Sequence, residues 1–111
     1  SQPDRRYRPG TVKRVLDAMH DDPARPWTLA ELAAIGGTSV RRLQEVFAEF
    51  LETSPTRALL DVRLERARTE LKDDDVTIAD VAARWGFSSP SRFAAAYRRR
   101  YGENPSIMAR K

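Results

Sequence analysis

Apolar residues return along this chain at spacings of three and four, and the stretches that carry them predict helices from one end to the other. Val12, Val15, Leu16 and Met19 make one stripe over residues 11–21, closed by Asp21-Asp22-Pro23 through Pro26. Thr28 opens a short helix to about Ile35, with Glu31 three positions later in the spacing of a capping box. Gly36-Gly37 turns the chain and Ser39 caps a longer helix to about Leu51, with Leu43, Val46, Phe47 and Phe50 inward. Ser54-Pro55 then starts a helix of about 17 residues, on which Leu60, Leu64, Ala67 and Leu71 predict a single buried stripe.

Beyond the Asp73-Asp74-Asp75 loop the pattern repeats. Thr77 opens a short helix with Asp80 three positions on, and Ile78, Val81 and Ala82 face inward. Gly86 marks a turn, Ser89-Pro90 starts the next helix with Phe93 and Tyr97 inward, and Gly102 ends it. Asn104-Pro105 begins a last turn to about Ala109. No stretch alternates as a strand would. From Thr28 to Ala34 every residue has an identical or similar counterpart in Thr77 to Ala83, and the second turn is one residue longer. Each copy is a short helix, a glycine turn and a longer helix, which is the helix-turn-helix pattern. The expected architecture is all-α, seven helices, with two helix-turn-helix units joined by a long linker helix. Residues 1–10 are a linker or tail, 11–53 the first unit, 54–73 the linker helix and 76–109 the second unit.

Composition narrows the partner. The 111 residues carry 20 Lys and Arg against 16 Asp and Glu, a formal net charge of +4. The distribution is more telling than the total. Arg92, Arg98, Arg99 and Arg100 stand in a segment without acids, and Arg5, Arg6, Arg8, Lys13 and Arg14 crowd the first residues against Asp4 alone. Such segregation makes a positive face for phosphates. Two helix-turn-helix units on a small basic chain point to double-stranded DNA, read at two successive places. There are no cysteines, which excludes disulfides and thiolate metal sites and fits a cytoplasmic protein. No apolar run is long enough for a membrane span and no signal peptide is visible. The chain starts without Met in a polar Pro/Arg stretch, so a fragment of a longer protein is the expectation.

These residues together resemble the DNA-binding domain of the AraC/XylS family of bacterial transcription regulators. The strongest stretch runs from Ile78 to Ser106. It has Val81-Ala82, Gly86-Phe87, a serine-rich turn, Phe93, Tyr97 and then Gly102 followed by Pro105. The run Arg63, Ala67 and Leu71 is similar to the family's linker helix, and Leu32-Ala33-Ala34, Ser39, Leu43 and Phe47 to its first unit. The resemblance covers about residues 11–109. It implies seven helices, a separate effector or dimerisation domain outside this chain, and activation through contact with RNA polymerase. The fragment is expected to be monomeric, with dimerisation left to the whole protein, and no cofactor is expected.

A recognition helix buries one face and offers the other to the major groove. With Leu43, Val46 and Phe47 inward, the opposite face of the first such helix offers Val40, Arg41, Gln44 and Glu45. Arg suits guanine, Gln adenine, and Glu can accept from cytosine N4. The family's base-contacting positions, carried over, fall at Arg41, Gln44 and Glu45. Glu45 either reads cytosine or pairs with Arg41 or Arg42 and restrains them; Arg42 is a phosphate contact. In the second helix the groove-facing positions are Ser88, Ser91, Arg92 and Ala95, with Ala94 near. Arg92 is the one long reader there, while Ala94 and Ala95 offer only contact with thymine methyls. The second unit should therefore discriminate less. Ser88, Arg98 and Arg99 are expected on phosphates, and the helix starts at Thr28 and Thr77 would point amides at phosphates.

Other classes fare worse. A methyl-accepting repair activity needs a nucleophilic cysteine, and a hydrolase needs more than His20. Asp73–Asp75 lacks the spacing of a calcium loop. Trp27 and Trp85 read as packing residues. A protein-interaction module leaves the exposed Arg41, Gln44, Arg92, Arg98 and Arg99 unexplained.

Overall fold

The computed structural model describes residues 9–109. Arg5, Arg6 and Arg8 of the basic tail lie outside the described residues. Within them are seven helices and no strand. They are α1 (Gly10–Asp21), α2 (Leu29–Gly36), α3 (Val40–Leu51), α4 (Pro55–Glu70), α5 (Ile78–Arg84), α6 (Pro90–Tyr101) and α7 (Pro105–Ala109). The first helix begins at Gly10, so the stretch expected to be tail already ends at Pro9. The chain divides into two compact units at Leu60/Asp61, inside α4.

In the first unit α1, α2 and α3 enclose a core of Val12, Val15, Met19, Leu32, Ala33, Leu43, Val46 and Phe47, joined by Ala58 and Leu59 from the start of α4. Phe50, expected inside, is half-buried. In the second unit the buried set is Val62, Leu64, Ala67 and Leu71 from α4, with Val81, Ala82 and Trp85, Phe93, Ala96 and Tyr97, and Met108 of α7. Phe87, Phe93, Tyr97 and Tyr101 form a run of tilted ring contacts with centroids 5.2, 5.8 and 4.7 Å apart. Edge-tilted rings place positive edges on negative faces, which adds to the gain from burial. Ile78, expected inside, is half-buried.

The linker helix departs from the expected single stripe. Leu60 is only half-buried, while Pro55, Ala58, Leu59 and Val62 are buried. At about 100° per residue these four share one face of α4, and Leu64, Ala67 and Leu71 share the opposite one. The buried positions of α4 therefore fall on two faces, not on one. A search for one amphipathic stripe finds only the second of them.

The two turns are built alike. Gly37 is left-handed at φ 69° and Gly86 at φ 86°. The amides of Gly37 and Thr38 donate to the carbonyls of Ala34 and Ala33 (3.1 and 3.0 Å). Those of Gly86 and Phe87 donate to Ala83 and Ala82 (3.2 and 3.0 Å). This paired closure satisfies the last carbonyls of α2 and α5 and requires a residue that tolerates positive φ.

Candidate nucleic-acid interface

Each of the two longer helices after a turn starts on a serine. Ser39 Oγ accepts from the Arg42 amide and Ser89 Oγ from the Arg92 amide, both at 3.1 Å. The caps fix where each helix begins and thus which side chains stand on its first, outward turn. On α3, with Leu43, Val46 and Phe47 at 0–4% exposure, the outward positions are Arg41, Arg42, Gln44 and Glu45, all exposed. Val40 is half-buried. Glu45 lies 3.9 Å from Arg41 Nε and 3.5 Å from Arg42 Nη1. Glu45 thus stands within ion-pair range of both arginines. Exposed pairs of this kind are worth at most about 1 kcal/mol, so a base or phosphate can compete for either arginine.

On α6 the equivalent positions carry Ser91, Arg92, Ala94 and Ala95. Ser91 and Arg92 are exposed, the two alanines half-buried. Ser88 is exposed in the turn before the cap. Further along, Arg98 and Arg99 are exposed, and Arg98 Nη1 donates to Asn104 Oδ1 at 2.8 Å. Arg100 turns the other way, 3.7 Å from Asp61 and 4.0 Å from Glu65. The basic segment thus offers Arg92, Arg98 and Arg99 outward and keeps Arg100 for an intramolecular pairing.

The two short helices differ at their starts. Thr28 Oγ1 accepts from the Glu31 amide (3.1 Å), and Glu31 Oε1 accepts in return from the Thr28 amide (3.0 Å). Arg25 donates to the other oxygen of Glu31 (2.7 Å). The hydrogen bond from Arg25, helped by the Thr28 amide, holds the Glu31 carboxyl below its usual range. Thr77 Oγ1 accepts from the Asp80 amide (3.0 Å), without the reciprocal bond. The carboxylate of Asp80 is one methylene shorter than that of Glu31. A phosphate approaching α2 would therefore meet an amide already taken and an ionised carboxylate. At α5 it would not meet that closed box.

Much of the remaining basic charge is used internally. Lys13 pairs with Asp17, Arg84 with Glu70, and Arg68 stacks 4.4 Å over Tyr101. Arg14, counted above among the basic residues of the first segment, donates from Nε to Ile35 O (3.3 Å) and from Nη2 to Gly36 O (2.8 Å). Arg63 packs its Nη1 3.9 Å from where a Cβ on Gly86 would stand. Reading the sequence for charge missed these two. The signal was present: Arg14 and Arg63 occupy corresponding places in the repeat, at the same offset as Gly37 and Gly86.

Residues 32–111 match the family described as helix-turn-helix domain. A probable AraC family transcriptional regulator from Rhodopseudomonas palustris is 31% identical. It superposes with a TM-score of 0.84, covering 90% of this chain and 94% of that one. The chain belongs to the AraC family. A second AraC-type structure, from Chromobacterium violaceum, superposes at 0.85 with 27% identity over 90% of this chain and 89% of that one. A probable thc operon regulatory protein of Rhodococcus erythropolis is 37% identical over 101 residues, 88% of this chain. The AraC-type domain spans 30% of the length of that relative and 25% of the transcriptional regulator CdhR of Pseudomonas aeruginosa, to which it is 36% identical. No helix of the described residues in this AraC-type domain is long and apolar enough to cross a membrane.

Proposed function

We propose that this chain is the operator-reading part of a cytoplasmic transcription activator, and that its two recognition helices, α3 and α6, read successive major grooves of double-stranded DNA. The observation that carries this reading is the pair of serine-capped helices behind matched glycine turns, each with one fully buried face and one polar face. Base reading falls to Arg41, Gln44 and Glu45 on α3 and to Ser91, Arg92 and Ala95 on α6. Phosphate contacts fall to Arg42, Ser88, Arg98 and Arg99, and to the start of α5 at Thr77. Thr28 acts through its cap instead, because Glu31 holds its amide. An effector or dimerisation domain in the remainder of the whole protein would supply regulation, and contact with RNA polymerase would supply activation. The domain alone is monomeric on this reading.

Selection of bound duplexes from a random library at about 100–150 mM salt, where phosphate contacts alone give little affinity, tests the reading. Two enriched elements about 10.5 bp apart are expected, the one read by α3 the more sharply defined. Binding that is salt-sensitive but enriches nothing would overturn it.

A further inference from the structure

Arg14 and Arg63 stand at equivalent places before the two turns, and neither was assigned a part in reading DNA. Arg14 reaches from α1 to the end of α2. Its fork spans Ile35 O and Gly36 O, and the second of these carbonyls also accepts from Thr11 Oγ1 at 2.8 Å. The guanidinium then lies 3.6 Å from where a Cβ on Gly37 would stand and 2.8 Å from one on Gly10. It fills the space that two glycines leave open. Arg63, half-buried on α4, brings its Nη1 to 3.9 Å from where a Cβ on Gly86 would stand. Burial pulls its pKa below the ordinary arginine value.

The carbonyls at the end of a helix carry partial negative charge and lack intrahelical donors. A guanidinium is a fixed planar fork that can satisfy two acceptors at once. At both turns the glycine that follows these carbonyls is the residue from which the chain departs toward the recognition helix.

We propose that Arg14 and Arg63 are paired positioning residues. Each anchors one helix-turn-helix turn and thereby sets the placement of the recognition helix that follows, α3 for Arg14 and α6 for Arg63, without touching DNA. The inference rests on the DNA-reading function proposed above. It divides the arginines of a basic protein into two kinds. Arg41, Arg92 and Arg99 face outward toward nucleic acid, and Arg14 and Arg63 face the turns.

Two measurements on the 111-residue chain test it. Amide hydrogen exchange needs no DNA. Arg14→Gln should speed exchange at Gly37 and Thr38 and leave Gly86 and Phe87 unchanged, and Arg63→Gln should do the converse. Unchanged exchange at the turn nearest each substitution would overturn the proposal. If Arg14→Gln fails to fold, Thr11→Val removes the other donor to Gly36 O and should loosen the same two amides; protection kept in that variant counts equally against it. The second measurement is affinity for the selected duplex and for a scrambled one across a salt series. Each arginine variant should lose roughly tenfold of its preference for the selected duplex, the scale of one base contact, with the salt slope unchanged. Arg99→Ala should lower the slope by about 0.9, as one phosphate contact does. A slope lowered to that extent by Arg14→Gln or Arg63→Gln would make them phosphate contacts and sink the positioning role. If the unsubstituted chain prefers no duplex while the exchange pattern follows expectation, the anchoring stands and the DNA-reading function is what fails.

Discussion

The two recognition helices differ in where they place their chemistry. Helix α3 has two arginines against two glutamates, and its long polar side chains Arg41, Arg42, Gln44 and Glu45 sit on the first outward turns. Helix α6 has four arginines and no acid, but three of the four come in its last turn, and its first turns offer Ser91, Arg92, Ala94 and Ala95. Where α6 has Arg98 and Arg99, α3 has Ala48 and Glu49. On the proposed function both units read, the first with sharper discrimination and the second with the firmer hold on phosphates. Base discrimination comes from long side chains with paired donors and acceptors, whereas phosphate contacts position the protein without sequence information. Two copies of one pattern can thus diverge into separate roles while the turn that aims each helix stays the same.

The comparison breaks most readily at the residue before each turn glycine, which is Gly36 in the first unit and Trp85 in the second. Trp85 is 8% exposed, and Trp85→Ala should cost about 3–5 kcal/mol of stability, measured by urea unfolding. A cost below about 1 kcal/mol would mean that the second core closes without it. Gly36 is held by space. A Cβ there would stand 2.9 Å from Thr11 Cγ2 and 3.2 Å from Val15 Cγ2. Gly36→Ala should therefore destabilise by about 1–3 kcal/mol, read in the same denaturation experiment. No change would show that α1 yields at this contact.

The division between reading and holding is sharpened by Arg41→Ala and Arg99→Ala. Arg41→Ala should cost about 1–3 kcal/mol against the preferred base and relax selection at that position alone. Arg99→Ala should weaken all duplexes alike. A base-substitution series with uniform loss for Arg41→Ala would end its assignment as a reader. The caps give a smaller contrast. Thr28→Ala opens a reciprocal box and should cost about 1 kcal/mol, while Thr77→Ala, with one bond at stake, should cost less. Equal melting shifts in the two variants would remove that distinction.

The smallest effect expected is with pH. Glu31's carboxyl is held below the model-compound value of 4.5 by Arg25 and by the Thr28 amide. A carboxylate with a lowered folded pKa adds stability that is present above its unfolded pKa and lost as pH falls through the folded one. The melting difference between the unsubstituted chain and Glu31→Gln should therefore hold at neutral pH and shrink below the ordinary glutamate range. A difference that persisted in strong acid would place its origin elsewhere.

Local signals carried most of the fold. Thr28, Ser39, Thr77 and Ser89 were readable as caps because capping depends on a side chain and the next three amides. Gly37, Gly86 and Gly102 were readable as stops because positive φ suits few other residues. The duplication followed from matching one stretch to another, and the polar faces of α3 and α6 from helical period alone. Residue type and spacing also named the candidate readers. Tertiary structure decided what periodicity cannot express. It gave α4 two opposite buried faces where the period of its leucines indicates one, and left Leu60, Phe50 and Ile78 at the margin of burial. It drew Arg14 from the basic cluster onto Gly36 O, and turned Arg100 toward Asp61 and Glu65. It also occupied the Thr28 amide with Glu31. In each of these cases the partner lies on another element or across a turn. A charge in a sequence states only that it needs a partner, and the fold supplies the one within reach.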